Sequence, residues 1–504
     1  MITIKTNNIV KQQVNFWNNI HFHPTDGIED DWGHDYLDAV AGHGAAQMVR
    51  MYTMFEDMVK MDDDGNLVFD FTENDTRMDY MVKKGFRLLV CYNFIPPCIA
   101  TENDRTNTET TTSTRYKGKT LCTMPPRDYR LWEEVCYRYT MHIIERYGME
   151  RVKTWYLHCY NEPDVRGFFL APLGLTDEAK KKRCEEYTKL YTAFEAAMMR
   201  ISDELTIGGP TAAGHPLFEY FVKWIAESGK KLDFFCAHTY GTSPGELAKG
   251  KKINTEYNYI KLKKYYAIME AYGFGEKELV IDEWCAASGG FVELSASAPL
   301  VYREDETFAA FYTQLITRYI ADGFPLSKMM ICLSGSHQVH QCPGRFPEFS
   351  GFRSFFTEHG IAKPIFNAYR LGAMLKSGIL EAACDNEHLT VLPTSDGKDL
   401  AVLLTYSKPE FDWELEDCTE ELTLDLTGRC RVTTWRIDRT HTNPYAMWQR
   451  EGFPEKPDEE QLALLRKEGE MKPCAVFEVT ADGTLTLPLA LVCNGTVLLQ
   501  IEKI

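Results

Sequence analysis

Two apolar runs in this chain end in a glutamate. The first is Lys153-Thr154-Trp155-Tyr156-Leu157-His158-Cys159-Tyr160-Asn161-Glu162-Pro163, and the second is Glu278-Leu279-Val280-Ile281-Asp282-Glu283-Trp284-Cys285. Each reads as a buried strand, because aromatic and β-branched residues suit a packed pleated surface. Two carboxyls presented in this way suit the cleavage of a glycosidic bond. One protonates the leaving oxygen and the other acts at the anomeric carbon, about 5 Å away in enzymes that retain configuration. Asn161 precedes Glu162, and its amide suits a sugar hydroxyl beside the reacting bond, which makes Glu162 the acid/base. That role needs a carboxyl protonated before cleavage and ionised after it. Glu283 is then the nucleophile, with Tyr240 as hydrogen-bond donor to it and His238 ordering the same shell or a substrate hydroxyl. Trp284, Trp155 and other rim aromatics are expected to stack on sugar faces.

Positioning these groups needs a scaffold that brings distant residues together. Eight apolar, strand-like segments lie near 15–22, 46–53, 86–94, 153–160, 205–211, 232–240, 278–284 and 328–335. Near-continuous apolar runs fit strands buried on both faces of a parallel sheet. Helical patterns fall between them, at Asp35–Ala45, Asn74–Lys84, Arg127–Tyr147, Asp177–Asp203, Leu217–Ser228, Tyr257–Tyr272 and Asp305–Ala321, and Phe366–Lys376 follows the eighth. The alternation predicts an α/β fold, a (β/α)8 TIM barrel over residues 15–377. A doubly wound open sheet is the competitor, but the glycine-rich phosphate turn expected after its first strand is missing. Barrel chemistry sits at the C-terminal ends of the strands. Glu162, Asn161, Glu283, His238, Tyr240, His21 and His23 all fall there, and Arg50 on the second strand is placed to reach the same cavity. An Asn-Glu-Pro triplet alone recurs by chance, and a strand ending in His-x-Tyr is commonly ordinary packing. The coincidence of these residues at one end of successive strands carries the reading.

The rest of the chain limits the alternatives. With 504 residues, 44% hydrophobic, more than one domain is expected. A net charge of −18 argues against nucleic acid or an anionic membrane as partner. The N-terminus lacks the apolar core of a signal peptide, and no run approaches the ~20 apolar residues of a membrane span. The 15 cysteines are odd in number and many lie inside apolar strands, which fits reduced thiols in the cytoplasm. No CxxC pair or His/Cys cluster has zinc spacing, so neither a metal nor a cofactor is expected. Asp62-Asp63-Asp64-Gly65-Asn66 has calcium-loop character, but Lys60 breaks the carboxylate spacing and a surface turn is the better reading. Gly208-Gly209-Pro210 lacks the Lys and Ser/Thr of a phosphate cradle and reads as a tight loop at the rim. Residues 98–124 are Thr-rich and aperiodic, as in a lid or a surface excursion. After residue 378 short alternating segments between turns predict an antiparallel β-sandwich over 378–504, interrupted by a charged insertion at 438–473 with a helix at Asp458–Lys467. Residues 1–14 form a separate segment whose Ile2–Ile4 is expected to add a strand to the sandwich.

The residues as a set resemble glycoside hydrolase family 39, and the resemblance runs over most of the chain. It rests on Val49-Arg50, Pro125-Pro126-Arg127-Asp128-Tyr129, Trp155 through Pro163, Gly208-Gly209-Pro210, His238-Thr239-Tyr240-Gly241, Asp282-Glu283-Trp284 and Ile361-Ala362-Lys363-Pro364. Ile437-Asp438, Asn443-Pro444-Tyr445 and Trp448 resemble a pattern of the family's accessory domain. The resemblance implies a retaining exo-acting glycosidase, often a β-xylosidase, with Glu162 at the acid/base position and Glu283 at the nucleophile position. It puts Asn161, His238 and Tyr240 at sugar-contact positions, and oligomers are common among the family's xylosidases. Two stretches depart from the xylosidase pattern. Cys332-Leu333-Ser334-Gly335-Ser336-His337-Gln338, with His337 as a candidate substrate contact, replaces an aromatic run and carboxylates. Cys285 through Gly290 differs as well. Both departures leave the carboxyl pair intact and open the choice of sugar to β-glucoside, β-galactoside, α-L-arabinoside and α-L-iduronide. The expected partner is an oligosaccharide or glycoside, and long rim loops with the 438–473 insertion point to a closed pocket. A carbohydrate-binding barrel that has lost catalysis, and transfer of the glycosyl group to an acceptor other than water, are the rival readings.

Overall fold

The computed structural model describes residues 1–13, 15–22, 28, 30–102, 105–106, 121–290, 292–333, 344–412 and 414–504. Eight parallel strands close a barrel: Asn19–His21, Met48–Tyr52, Arg87–Tyr92, Tyr156–Cys159, Thr206–Ala212, Phe234–Thr242, Glu278–Ala287 and Leu326–Cys332. Every one lies on a segment expected from hydropathy. Closure decides against the open sheet, since strand eight pairs with strand one, Met330 with Asn19, Ile331 with Ile20 and Cys332 with His21. The helices between them start and stop on local signals. Asp128 accepts from Arg130 N at the start of Tyr129–Tyr147, and Thr176 from Ala179 N at the start of Asp177–Ile201. Gly229 and Gly323, both at positive φ, close His215–Ser228 and Glu306–Asp322.

Alternation along each strand divides the barrel interior into levels. Met48, Leu89, Phe234, Cys236, Val280 and Met330, with Tyr156, form an apolar plug. Two residues further along the strands come Arg50, Cys91, His158, His238 and Asp282, all fully buried, so the level above the plug is polar. Side chains on the other face of each strand pack beneath the helices in the main core. Trp284 is one of them. It stacks on Tyr312 with ring centroids 5.8 Å apart, and its Nε1 donates to the Tyr369 hydroxyl at 3.2 Å. The expectation that Trp284 stacks on a sugar is therefore corrected: Trp284 follows an inward-facing residue and so points outward. Trp155 is 1% exposed against Tyr147 and is corrected likewise.

The C-terminal strands make one nine-stranded sheet, in the order Pro473–Ala481, Gly428–Ile437, Gly495–Lys503, Leu400–Tyr406, Leu389–Ser395, Gly378–Cys384, Ile2–Gln12, Cys418–Leu424, Leu485–Leu491. Ile2–Gln12 runs antiparallel to Gly378–Cys384 and parallel to Cys418–Leu424, so the sheet is mixed and not purely antiparallel. Asp62 accepts from the backbone N–H groups of Asp64 and Asn66, making the tight turn between Val59–Met61 and Leu67–Phe69. Within 98–124, Arg105–Thr106 pairs with Leu121–Cys122, while 103–104 and 107–120 lie outside the described residues. Among the described residues every cysteine is a free thiol, and no helix is long and apolar enough to cross a membrane.

The insertion braces the long segment between strand eight and the helix Pro364–Ala373. Tyr445, Leu462 and Leu465 bury Phe349 and Ile361 from the segment after strand eight. Lys456 Nζ donates to Gly344 O, Arg466 Nε to His359 O, and Glu348 N to Glu455 O. Strands six and seven are stitched by Asn258, whose Nδ2 donates to Thr239 O at 2.7 Å and Cys285 O at 3.0 Å. Gly241 lies at the same seam, where an added Cβ would stand 2.1 Å from Ala286 O and 2.7 Å from Asn258 Oδ1. Gly241→Ala is expected to cost about 1–3 kcal/mol in urea unfolding, with a parallel loss of activity, because the displaced backbone carries Tyr240. An unchanged unfolding midpoint would show that the seam has slack.

Candidate active site

Both glutamates face one cavity because of two local irregularities. On strand seven a bulge pairs Ala237 with Ile281 but His238 with Glu283, so Asp282 is the extra residue. Asp282 and Glu283 consequently both turn inward, where strict alternation would send one of them outward. After strand four the chain turns sharply, with Tyr160 at φ 64° and Glu162 at φ 43°. Side chains rarely adopt this left-handed region, at a cost of about 1–3 kcal/mol each. Hydrogen bonds oppose that cost: Tyr160 N to Tyr92 O at 3.0 Å, the Tyr160 hydroxyl to Phe168 O at 2.8 Å, and Glu162 N to Thr211 O at 3.2 Å.

Arg50 stands at the centre. Its Nη1 donates to Glu283 Oε1 at 2.6 Å and its Nη2 to Asn161 Oδ1 at 2.7 Å, and Nη2 lies 3.0 Å from Asp282 Oδ2. Nε donates to His158 Nε2 at 3.2 Å, and Nη1 also reaches His21 Nε2 at 3.2 Å. A guanidinium can only donate, so both of these imidazole nitrogens accept. Each ring's Nδ1 then carries the proton, His158 toward Tyr160 O and His21 toward Arg50 O. Burial, with the Arg50 charge adding to it, pushes His158 down to about 3, so its ring is neutral. Asn161 is fixed in one orientation, its oxygen on Arg50 and its amide nitrogen left to donate.

The carboxylates differ in their surroundings. Tyr52 donates to Glu283 Oε1 at 3.0 Å, and the Tyr240 hydroxyl donates to Glu283 Oε2. Burial works against charge on Glu283. His238 and Arg50, with the Tyr240 hydrogen bond, nonetheless hold its carboxyl well below the usual range. Asp282 is likewise opposed by burial, and Arg50 and His238 bring it to about 2. His238 bridges the pair, with Nδ1 2.7 Å from Glu162 Oε1 and Nε2 3.4 Å from Asp282 Oδ2 and 3.7 Å from Glu283 Oε1. Burial opposes its charge too, but Glu283, Asp282 and Glu162 raise it to about 10. A proton is thus held on the His238 ring, whose Nδ1 faces Glu162.

Accessibility separates the roles. The side chains of Glu162 and Glu283 are 14% and 8% exposed, while His21, Arg50, His158, His238 and Asp282 are at 0%. Arg50, His21 and His238 touch the carboxylates and Asn161, since the polar level lies behind the accessible one. Tyr240 remains partly accessible. His23 and His337 lie outside the described residues. Tyr52, His158 and Asp282 were not anticipated as site residues. Alternation from Met48, Tyr156 and Val280 would have found all three, whereas the bulge that turns Glu283 inward beside Asp282 has no sequence signal. Arg353, on the segment after strand eight, was also missed. It is 3% exposed with its guanidinium carbon 5.3 Å from the Tyr240 ring centre. By distance alone His21, Glu283 and Cys332, or His158, Cys236 and Asp282, form ligand clusters for a metal ion. Arg50 touches members of both and already supplies the positive charge there.

The chain matches the model of glycosyl hydrolases family 39 over residues 1–486. It belongs to that family. This family 39 chain is a glycoside hydrolase, built as a TIM barrel with a β-sandwich region. A β-xylosidase of Caldicellulosiruptor saccharolyticus is 25% identical over 498 residues, 95% of this chain and 93% of that protein. An α-L-iduronidase of Canis lupus familiaris is 21% identical over 516 residues, 92% of this chain and 71% of that protein. A monomeric β-xylosidase from Caulobacter crescentus CB15 shares the fold, with a TM-score of 0.81 at 20% identity, covering 100% of this chain and 99% of that one.

The charge on His238 has a consequence for stability. Its pKa lies above the ordinary 6.5 in the folded protein, so its contribution is full below about pH 6.5 and is lost as pH rises toward about 10. The difference in melting temperature between wild type and His238→Asn should therefore be largest near pH 6 and shrink steadily to pH 9.5. A difference independent of pH would show that the ring is neutral.

Proposed function

We propose that this hydrolase retains anomeric configuration and removes one sugar from the non-reducing end of a short oligosaccharide or glycoside. Glu283 is the nucleophile and Glu162 the acid/base. The observation that carries the reading is spacing: one carboxylate oxygen of each glutamate and a ring nitrogen of His238 all lie within 4.8 Å of one another. Retaining pairs stand about 5–5.5 Å apart, whereas inverting pairs leave about 6.5–9.5 Å for a water. In the first step Glu283 Oε attacks the anomeric carbon and the glycosidic C–O bond breaks. The proton held on the His238–Glu162 pair passes to the leaving oxygen. In the second step Glu162 takes a proton from water, the water oxygen attacks the same carbon, and the ester to Glu283 is released. Arg50 and the hydroxyls of Tyr52 and Tyr240 keep Glu283 ionised for attack and make it a good leaving group afterwards.

A β-xyloside is the leading glycone, supported by the family and by the xylosidase likeness over nearly the whole chain. A second reading, a glycone bearing a carboxylate such as an α-L-iduronide, is favoured by the buried Arg353 guanidinium beside Tyr240. We further propose a cytoplasmic location, supported by the free thiols; self-association remains an expectation drawn from the family.

Turnover of aryl xylosides, glucosides, galactosides, arabinosides and iduronides by wild type and Glu283→Ala tests the reading. One sugar should be turned over, and the variant should lose about 10⁴-fold or more. NMR of the first-formed product should show the substrate's anomeric configuration. Full turnover by Glu283→Ala, or an inverted product, would remove Glu283 from the nucleophile role. Binding of a sugar without turnover by wild type would favour a non-catalytic barrel.

A further inference from the structure

The reading above leaves one conspicuous carboxyl unused. Asp164 lies two residues beyond Glu162, and both of its oxygens are engaged by backbone. Ala213 N donates to Oδ1 at 3.1 Å and Gly214 N donates to Oδ2 at 2.8 Å. Gly214 is the N-cap of the helix His215–Ser228, so the carboxylate closes the positive end of a fourteen-residue helix. The same connection is gripped from the other side by Lys261, whose Nζ donates to Ala213 O at 2.6 Å. Asp164 is therefore not a loose surface acid. It is one jaw of a clamp on the loop between strand five and its helix.

The loop in that clamp is the one that holds the acid/base turn. Glu162 N donates to Thr211 O at 3.2 Å, and Thr211 Oγ1 donates to Tyr160 O at 3.0 Å. Tyr160, Glu162 and Thr211 are all at positive φ, 64°, 43° and 51°. Three side-chain-bearing residues in an unfavourable backbone region must be over-determined by their surroundings. Two ties run from this turn to residues 211–214 through Thr211, and two more run through Asp164. The latter are charge-assisted and so the stronger pair. The placement also has a cost, because burial and the neighbouring Glu162 charge push Asp164 up to about 6. An acid is not needed there to fill space, and the two amides are its evident purpose.

We propose that Asp164 is a positioning residue for the acid/base. By clamping Ala213 and Gly214 it holds Glu162 in its left-handed conformation, with the carboxyl against His238 and aimed at the leaving oxygen. With the clamp loosened, Glu162 relaxes toward the ordinary right-handed region and its carboxyl swings away. Nucleophilic attack by Glu283, held by Arg50 from the far side, is left intact. This inference rests on the assignment of Glu162 as acid/base.

The test separates proton donation from the rest of the reaction. Asp164→Asn keeps one acceptor of the two. It is compared with wild type on a disaccharide and on the 2,4-dinitrophenyl glycoside of the sugar chosen by the panel, xylobiose and dinitrophenyl xyloside on the first reading. A dinitrophenolate departs without a proton, whereas a sugar alcohol needs one. The expected result is a loss of about 100-fold in kcat/KM on the disaccharide and less than about threefold on the activated substrate. Lys261→Met, which removes the opposite jaw, should show the same selectivity to a smaller degree. In a Glu162→Gln background Asp164→Asn should add no further loss on the disaccharide. Equal losses on both substrates, no loss on either, or a full additional loss in the Glu162→Gln background would each overturn the proposal. Glu162→Gln alone, run beside them, distinguishes the two failures. If it shows no dependence on leaving group, the acid/base assignment falls and the inference with it; if it shows the dependence and Asp164→Asn does not, only the inference falls.

Discussion

The ion pair between Arg50 and the carboxylates of strand seven is the interaction on which the rest depends. A guanidinium and two carboxylates at the centre of a closed barrel would be prohibitively costly apart, because each would lose its hydration without replacement. Together they satisfy one another, and the neighbours complete the set. Asn161, His158, His21 and Tyr52 each take a donor from Arg50 or a position on Glu283. The apolar plug beneath this level keeps water from reaching it through the barrel floor. The arrangement leaves Glu283 charged and partly desolvated.

His238 couples this charged centre to the second carboxyl. It faces Asp282 and Glu283 through Nε2 and Glu162 through Nδ1. The three negative groups around one ring explain why its positive charge survives burial. The ring between them also lets the two glutamates stand close to each other.

Support for these groups comes from unequal sources. Glu283 is held by side chains converging from strands two and six, on rigid elements. Glu162 is held mainly by backbone, in a turn at positive φ tied to residues 211–214. The wall beyond Tyr240 is built from the segment after strand eight, which carries Arg353 and is braced by the helices of the 438–473 insertion. Thus the sheet region does more than cap the barrel. Through that insertion it reaches the connection that borders the site.

Much of this was legible in the chain. Eight near-continuous apolar runs separated by helical periods call for a parallel sheet covered on both faces, and the pairing of strands eight and one closes it. Where those runs stop also puts Asn161 and Glu162 just past strand four, although strands six and seven run on past Tyr240 and Glu283 to Thr242 and Ala287. Alternation also places Arg50 inward, though not what it touches. What sequence periodicity does not contain is departure from periodicity. The bulge that turns Asp282 and Glu283 to the same side, and with them sends Trp284 outward into the helical layer, arises from the pairing of strands six and seven. Tertiary packing likewise puts Asp164 in contact with Ala213 and Gly214, and brings Arg353 from residue 353 to the ring of Tyr240. These contacts join residues remote in sequence, or set a local backbone state against its intrinsic preference. Composition and spacing determine which elements form and what chemistry they can offer; only the closed structure decides which side chains meet, because register, bulges and buried charge pairs are settled by neighbours that the local sequence does not specify.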